Sequence, residues 1–174
     1  MIDVKHNTKF IGAHNAASHL LEVYGFEQKT TENWFSTFFI SNVLFSAYGI
    51  VGCVDSIKEI PNLSKEQIRL ADQLKKGGQA LIGKCEFMGT VGQAQNILST
   101  LKEVDDLSKG QAELVNLLEK GGRDLMDSFD FKKELELMYW KFKDIYNDSG
   151  KLLVSLDNDT DVSLSVHPLD ETKH

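Results

Sequence analysis

The chain has 174 residues, 41% hydrophobic and 26% charged, with a formal net charge of −7. Those values fit one soluble domain spanning residues 1–174. The acidic balance excludes direct binding to free nucleic acid, which draws on Lys and Arg to neutralise phosphates. Two prolines favour helices over a turn-rich β fold, and Cys53 and Cys85, with no C-x-x-C, fit free thiols in a reducing compartment.

Residues 1–7 are a polar lead-in without the apolar run of a secretory signal, so a cytoplasmic location is expected. Over 8–24, the spacing of Phe10, Ile11, His14, Ala17, Ser18 and Leu21 predicts an amphipathic helix, with Gly25 placed to close it. Residues 34–54 hold no charged side chain. A run of that length can span a bilayer. It also suits the central helix of a soluble bundle, and its Ser, Thr and Asn content with no flanking Lys/Arg cluster favours the bundle.

Residues 57–87 and 101–131 then align without a gap at an offset of 44, with 13 of 31 positions identical. An internal repeat of this kind governs the fold. It predicts a duplicated helical hairpin, with copy one at about 46–87 and copy two at about 89–131. In each copy a Ser is followed three residues later by Gln (Ser64 and Gln67; Ser108 and Gln111), the signature of a capping box. Downstream, Leu70, Leu74, Leu81 and Cys85 share a helical face, as do Leu114, Leu118, Leu125 and Phe129. Gly77–Gly78 and Gly121–Gly122 interrupt those faces without shifting the register. Glycine costs a helix about 1 kcal/mol relative to Ala, so the four are expected at close helix contacts, with the two pairs facing each other. Gly89 and Gly92 divide the copies, and Gln93–Val104 reads as a separate helix.

From 130 to 146, Phe131, Leu135, Met138, Phe142 and Ile145 form an apolar stripe at helical spacing. Asn147-Asp148-Ser149-Gly150 reads as a stop. The alternation of Val154 and Leu156, then Val162, Leu164 and Val166, predicts a C-terminal β-hairpin over about 152–166. The expected fold is a mainly α single-domain helical bundle carrying that hairpin.

No catalytic, cofactor or metal site follows from the motifs. Asp157, Asp159 and Asp161 open like a calcium loop but lack the Gly and the closing carboxylate. His14 and His19 are five apart, which splays them around a helix. The class that remains is a non-enzymatic, acidic, intracellular binding module. An inhibitor or immunity/antitoxin-type protein that neutralises a basic partner (a toxin or nuclease) by occlusion fits it. Its expected interface is Asp105, Asp106, Asp157, Asp159 and Asp161, and Gly77, Gly78, Gly121, Gly122, Ser64 and Ser108 are expected to be structural. The alternatives are a membrane-associated protein using 34–54, or a helical enzyme or ligand-binding protein with a pocket among Phe39, Phe45, Tyr48 and Trp140.

Overall fold

The computed structural model describes residues 4–30, 32 and 34–159. They form five helices: α1 (Val4–Glu27), α2 (Thr37–Lys58), α3 (Lys65–Leu101), α4 (Lys109–Asp127) and α5 (Phe131–Asp159). Four of them close a ring of neighbours: α1 on α2, α2 on α3, α3 on α5 and α5 on α1. Each neighbouring pair is antiparallel. Lys58 meets Asp72 and Lys75 meets Asp55 between α2 and α3. Gln67 bonds Ser155 near one end of the α3–α5 contact, and Lys84 pairs with Glu134 near the other. His14 bonds Ser149 between α1 and α5, and His19 bonds Asn42 between α1 and α2.

The core lies inside this ring. Leu20, Phe39, Ile50, Leu74, Met138, Phe142 and Leu153 are sealed in it, and α4 contributes no residue to it. Helix α2 is the one described helix long and apolar enough to cross a membrane. Its inner stripe of Phe39, Val43, Ala47, Ile50, Val54 and Ile57 is fully covered by the bundle.

Two links fix the loops. Ser36 caps α2 by accepting from the Phe39 amide, and donates both its own N–H and its hydroxyl to the buried Glu27 carboxylate at 2.7 Å each. Helix α1 therefore runs through Gly25 and ends at this carboxylate. At the start of α3 the Ser64 oxygen accepts from the Gln67 amide at 3.0 Å, and the Gln67 side chain accepts from the Ser64 amide at 2.9 Å. Ser108 and Gln111 make the same pair of bonds at the start of α4. The two preceding turns differ. Asn62 has a φ of 65°, and Asp106, 44 residues on, does not share it.

Three sequence expectations are corrected. First, Gly89 and Gly92 do not divide α3, which is one helix of 37 residues, about 55 Å long. One helix therefore serves both hairpins, α2–α3 and α3–α4. Second, residues 152–159 are not a strand but the last turns of α5; residues 160–166 lie outside the described residues. The buried positions Ile145, Ser149, Leu152, Leu153 and Leu156 continue the helical spacing, and the alternation of Val154 and Leu156 spans too few residues to compete. Sealing a leucine yields about 1.5–3 kcal/mol, and three of them outweigh the ~1 kcal/mol cost of Gly150 within a helix. Third, the two glycine pairs do not face each other. A Cβ on Gly77 would lie 3.0 Å from Ile145 Cγ1 of α5, and one on Gly78 would lie 2.8 Å from Val51 Cγ2 of α2. A Cβ on Gly122 would collide with the Gln95 side chain of α3, whereas one on Gly121 would meet nothing within 4 Å.

Candidate functional site

Helix α4 packs on α3 alone among the described helices. Antiparallel to the far end of α3, it makes a two-helix arm outside the four-helix ring. A polar cluster fastens it. Glu119, buried, accepts from Lys102, the C-cap of α3, at 3.1 Å and pairs with Arg123 at 3.3 Å.

The covered positions of α4 are Ala112, Val115, Glu119, Gly122 and Met126, which step by three, four, three and four. The leucine face lies about one residue, or 100°, around the helix from that line. It is open. Leu114, Leu118 and Leu125 are 55%, 51% and 48% exposed, and Leu117 stands beside them. Their counterparts 44 residues earlier, Leu70, Leu74 and Leu81, are sealed.

The correspondence extends across the seam. An apolar groove of about 420 Å³ is lined by Val91, Ala94, Ile97 and Leu98 of α3 and by Leu118 and Leu125 of α4, with Gln95 and Gly122 at its floor. Subtracting 44 from Val91, Ala94, Leu98, Leu118 and Leu125 gives Ala47, Ile50, Val54, Leu74 and Leu81, all core residues of the bundle. Gly122 meets Gln95 as Gly78 meets Val51, and these partners are also 44 apart. At this one contact α4 meets α3 as α3 meets α2. In the bundle, α1 and α5 then close the core; on the arm nothing among the described residues takes their place.

The rim is acidic. Residues 89–130 carry eight carboxylates and four cations, and three of those cations, Lys102, Lys120 and Arg123, are held by Glu119 or Asp124. Asp105 and Asp106 are exposed in the turn at the tip. Asp157 and Asp159 lie in the last turn of α5, beside the start of α3, where Gln67 bonds Ser155. Nearly the whole of α3, about 50 Å, separates them from the tip. The acidic residues expected to form one interface therefore do not meet, and Asp161 lies outside the described residues.

Other chemistry-bearing residues are dispersed or sealed. Phe39 is core, Phe45 and Tyr48 are exposed on the outer side of α2, and Trp140 is exposed on α5 beside Tyr139. They line no common pocket. A cleft of about 610 Å³ at the junction of arm and bundle is lined by Trp34, Leu44, Met88 and Met126, with Glu86 among its polar groups. Cys85 also borders it. Burial pushes its thiol up to about 11, away from the thiolate that attacks or binds metal.

His14 and Ser149, 135 residues apart, meet at 2.8 Å. Ser149 also donates to the Tyr146 carbonyl at 2.9 Å. The serine has one hydroxyl hydrogen, so His14 Nδ1–H donates to Ser149 Oγ when both bonds are satisfied. Ser149 is sealed inside the α1–α5 contact, so the pair works as a polar lock and has no access to a substrate. No group of three metal-ligating side chains occurs among the described residues.

The leucine face was legible in the sequence, but its exposure was not. The repeat gives Leu114, Leu118 and Leu125 the same apolar spacing as copy one, and the absence of a third mate for them is the signal that pattern alone does not carry. Comparison with protein-family models, with curated proteins and with solved structures finds no match.

Proposed function

We propose that this chain is an acidic, non-enzymatic protein-binding module that docks a basic partner on the open groove of its α3–α4 arm. The observation that carries the reading is the groove itself: positions that are core in α2–α3 stand bare in α3–α4. A contiguous exposed apolar surface with a polar rim marks an interaction site, and the carboxylate excess of residues 89–130 selects a cationic partner. The arm is read as a second copy of the hairpin that builds the bundle, kept for docking and no longer needed for folding.

Covering a cationic site on the partner would neutralise it by occlusion, which is how an inhibitor or an immunity or antitoxin protein acts. The cytoplasm is the expected setting, and the partner class is a basic toxin or nuclease. Affinity capture with the full chain, followed by titration of the purified partner, tests the proposal. The expected result is a basic partner whose affinity falls as salt rises and is abolished by Leu118→Asp. A partner that binds equally well to Leu118→Asp, or with no salt dependence, overturns it.

A further inference from the structure

The fold contains its own template for what the arm binds. In the bundle, the leucine face of α3 is closed by α5, whose Ile145 sits directly over Gly77. A Cβ at Gly77 would come within 3.0 Å of Ile145 Cγ1, so the absent side chain is what lets α5 approach. The matching position on the arm is Gly121, with open space above it. The seat lies within the stripe of Leu114, Leu118 and Leu125, and Val91, Ala94 and Ile97 continue the apolar surface across the seam.

We infer that the partner element seated on the arm is a single amphipathic helix, taking the place on α4 that α5 takes on α3. It sets a branched aliphatic side chain over Gly121 and spaces its other apolar residues at i+3, i+4 and i+7 along the leucines. Its outer flanks are lysine- or arginine-rich. This deepens the proposed function and rests on it. A second copy of this chain is a poorer occupant. Two arms would oppose eight carboxylates and four cations on each side, and each copy's α5 is already consumed in its own core.

The experiment uses the full chain and two synthetic helices. Both carry the apolar stripe of α5 (the residues of Phe131, Leu135, Met138, Phe142 and Ile145 at their native spacing), one with lysine and one with glutamate at the outer positions. Binding is read by fluorescence anisotropy and mass by light scattering. The lysine helix is expected to bind one to one, and the glutamate helix at least about 10-fold more weakly. Gly121→Gln places a side chain in the seat, where a Cβ meets nothing within 4 Å, and is expected to weaken the lysine helix by about 10-fold. Circular dichroism and the melting temperature of this variant should match wild type or exceed it.

Failure of the lysine helix to bind, or binding indifferent to Gly121→Gln, overturns the single-helix seat. If Leu118→Asp nonetheless abolishes binding of a captured partner, the module reading stands and the seat alone is wrong. If the chain instead runs at twice its 19.6 kDa mass and Leu118→Asp makes it monomeric, the occupant is a second copy and the inference fails.

Discussion

Leu74 and Leu118 lie 44 residues apart at aligned positions of the sequence, yet Leu74 is sealed in the core and Leu118 is half exposed on the arm. The same substitution should therefore have different consequences at the two sites. Leu74→Asp buries an unpaired carboxylate and deletes core packing, an expected loss of more than about 4 kcal/mol, enough to unfold a chain of ordinary stability. Leu118→Asp is expected to stay within about 0.5 kcal/mol of wild type and to abolish partner binding. Urea denaturation and a binding titration on the two variants check both halves.

The glycines give a second paired test. At Gly78 an added methyl would lie 2.8 Å from Val51 and 3.3 Å from the Ala47 carbonyl oxygen. Val51 is β-branched and so stiff at χ1 in a helix, and the carbonyl belongs to a helix. Gly78→Ala should destabilise by about 1–3 kcal/mol of overpacking, offset in part by the ~1 kcal/mol gain in helix propensity. Gly121→Ala meets nothing and should stabilise by up to about 1 kcal/mol. Thermal melts of the two variants should move in opposite directions.

The α1–α5 lock makes stability depend on pH. Burial holds the His14 imidazole below its ordinary value of 6.5. The unfolded chain then takes up the proton first, so the contribution is present above 6.5 and is lost as pH falls through the lowered folded value. The slope for one such proton is at most about 1.4 kcal/mol per pH unit. Asp148 acts lower on the scale and in the opposite sense. Burial raises its carboxyl above 3.8, so its contribution is present below 3.8 and is lost as pH rises through the folded value. Denaturation curves from neutral pH downward should show stability falling below pH 6.5 in wild type, with that slope flattened in His14→Gln.

The arm should also differ from the bundle in local stability. Few apolar contacts and one neighbouring helix place α4 at the low end of the opening free energies within a protein. Its amides are expected to exchange with deuterium faster than those of α2, α5 and the first half of α3. Binding of the lysine helix should slow them, with the largest change at 114–125.

Much of the fold was readable before any coordinates. The two Ser–Gln caps and the stripe from Phe131 to Ile145 are local patterns whose physics is local, and helices follow from them. What the chain does with Gly89, Gly92 and Gly150 was not readable. Each could end a helix in a short fragment, and each is carried inside one here because flanking residues such as Met88, Leu152 and Leu153 are buried against distant segments. The same limit applies to the site. Leu74 and Leu118 sit in nearly the same sequence context, and only the number of neighbouring helices separates them. Asp105 and Asp157 were grouped by charge, although about 50 Å of helix keeps them apart.

Because α3 runs unbroken from the Ser64 cap to Leu101, the groove is mounted on a strut that the bundle clamps at its other end. Such a mount needs little ordering when a visitor arrives, so less of the contact energy is lost to restricting motion. A hinge cut into that strut near Gly92, between Val91 and Ala94 of the groove, would weaken the complex by letting docking side chains shift against one another.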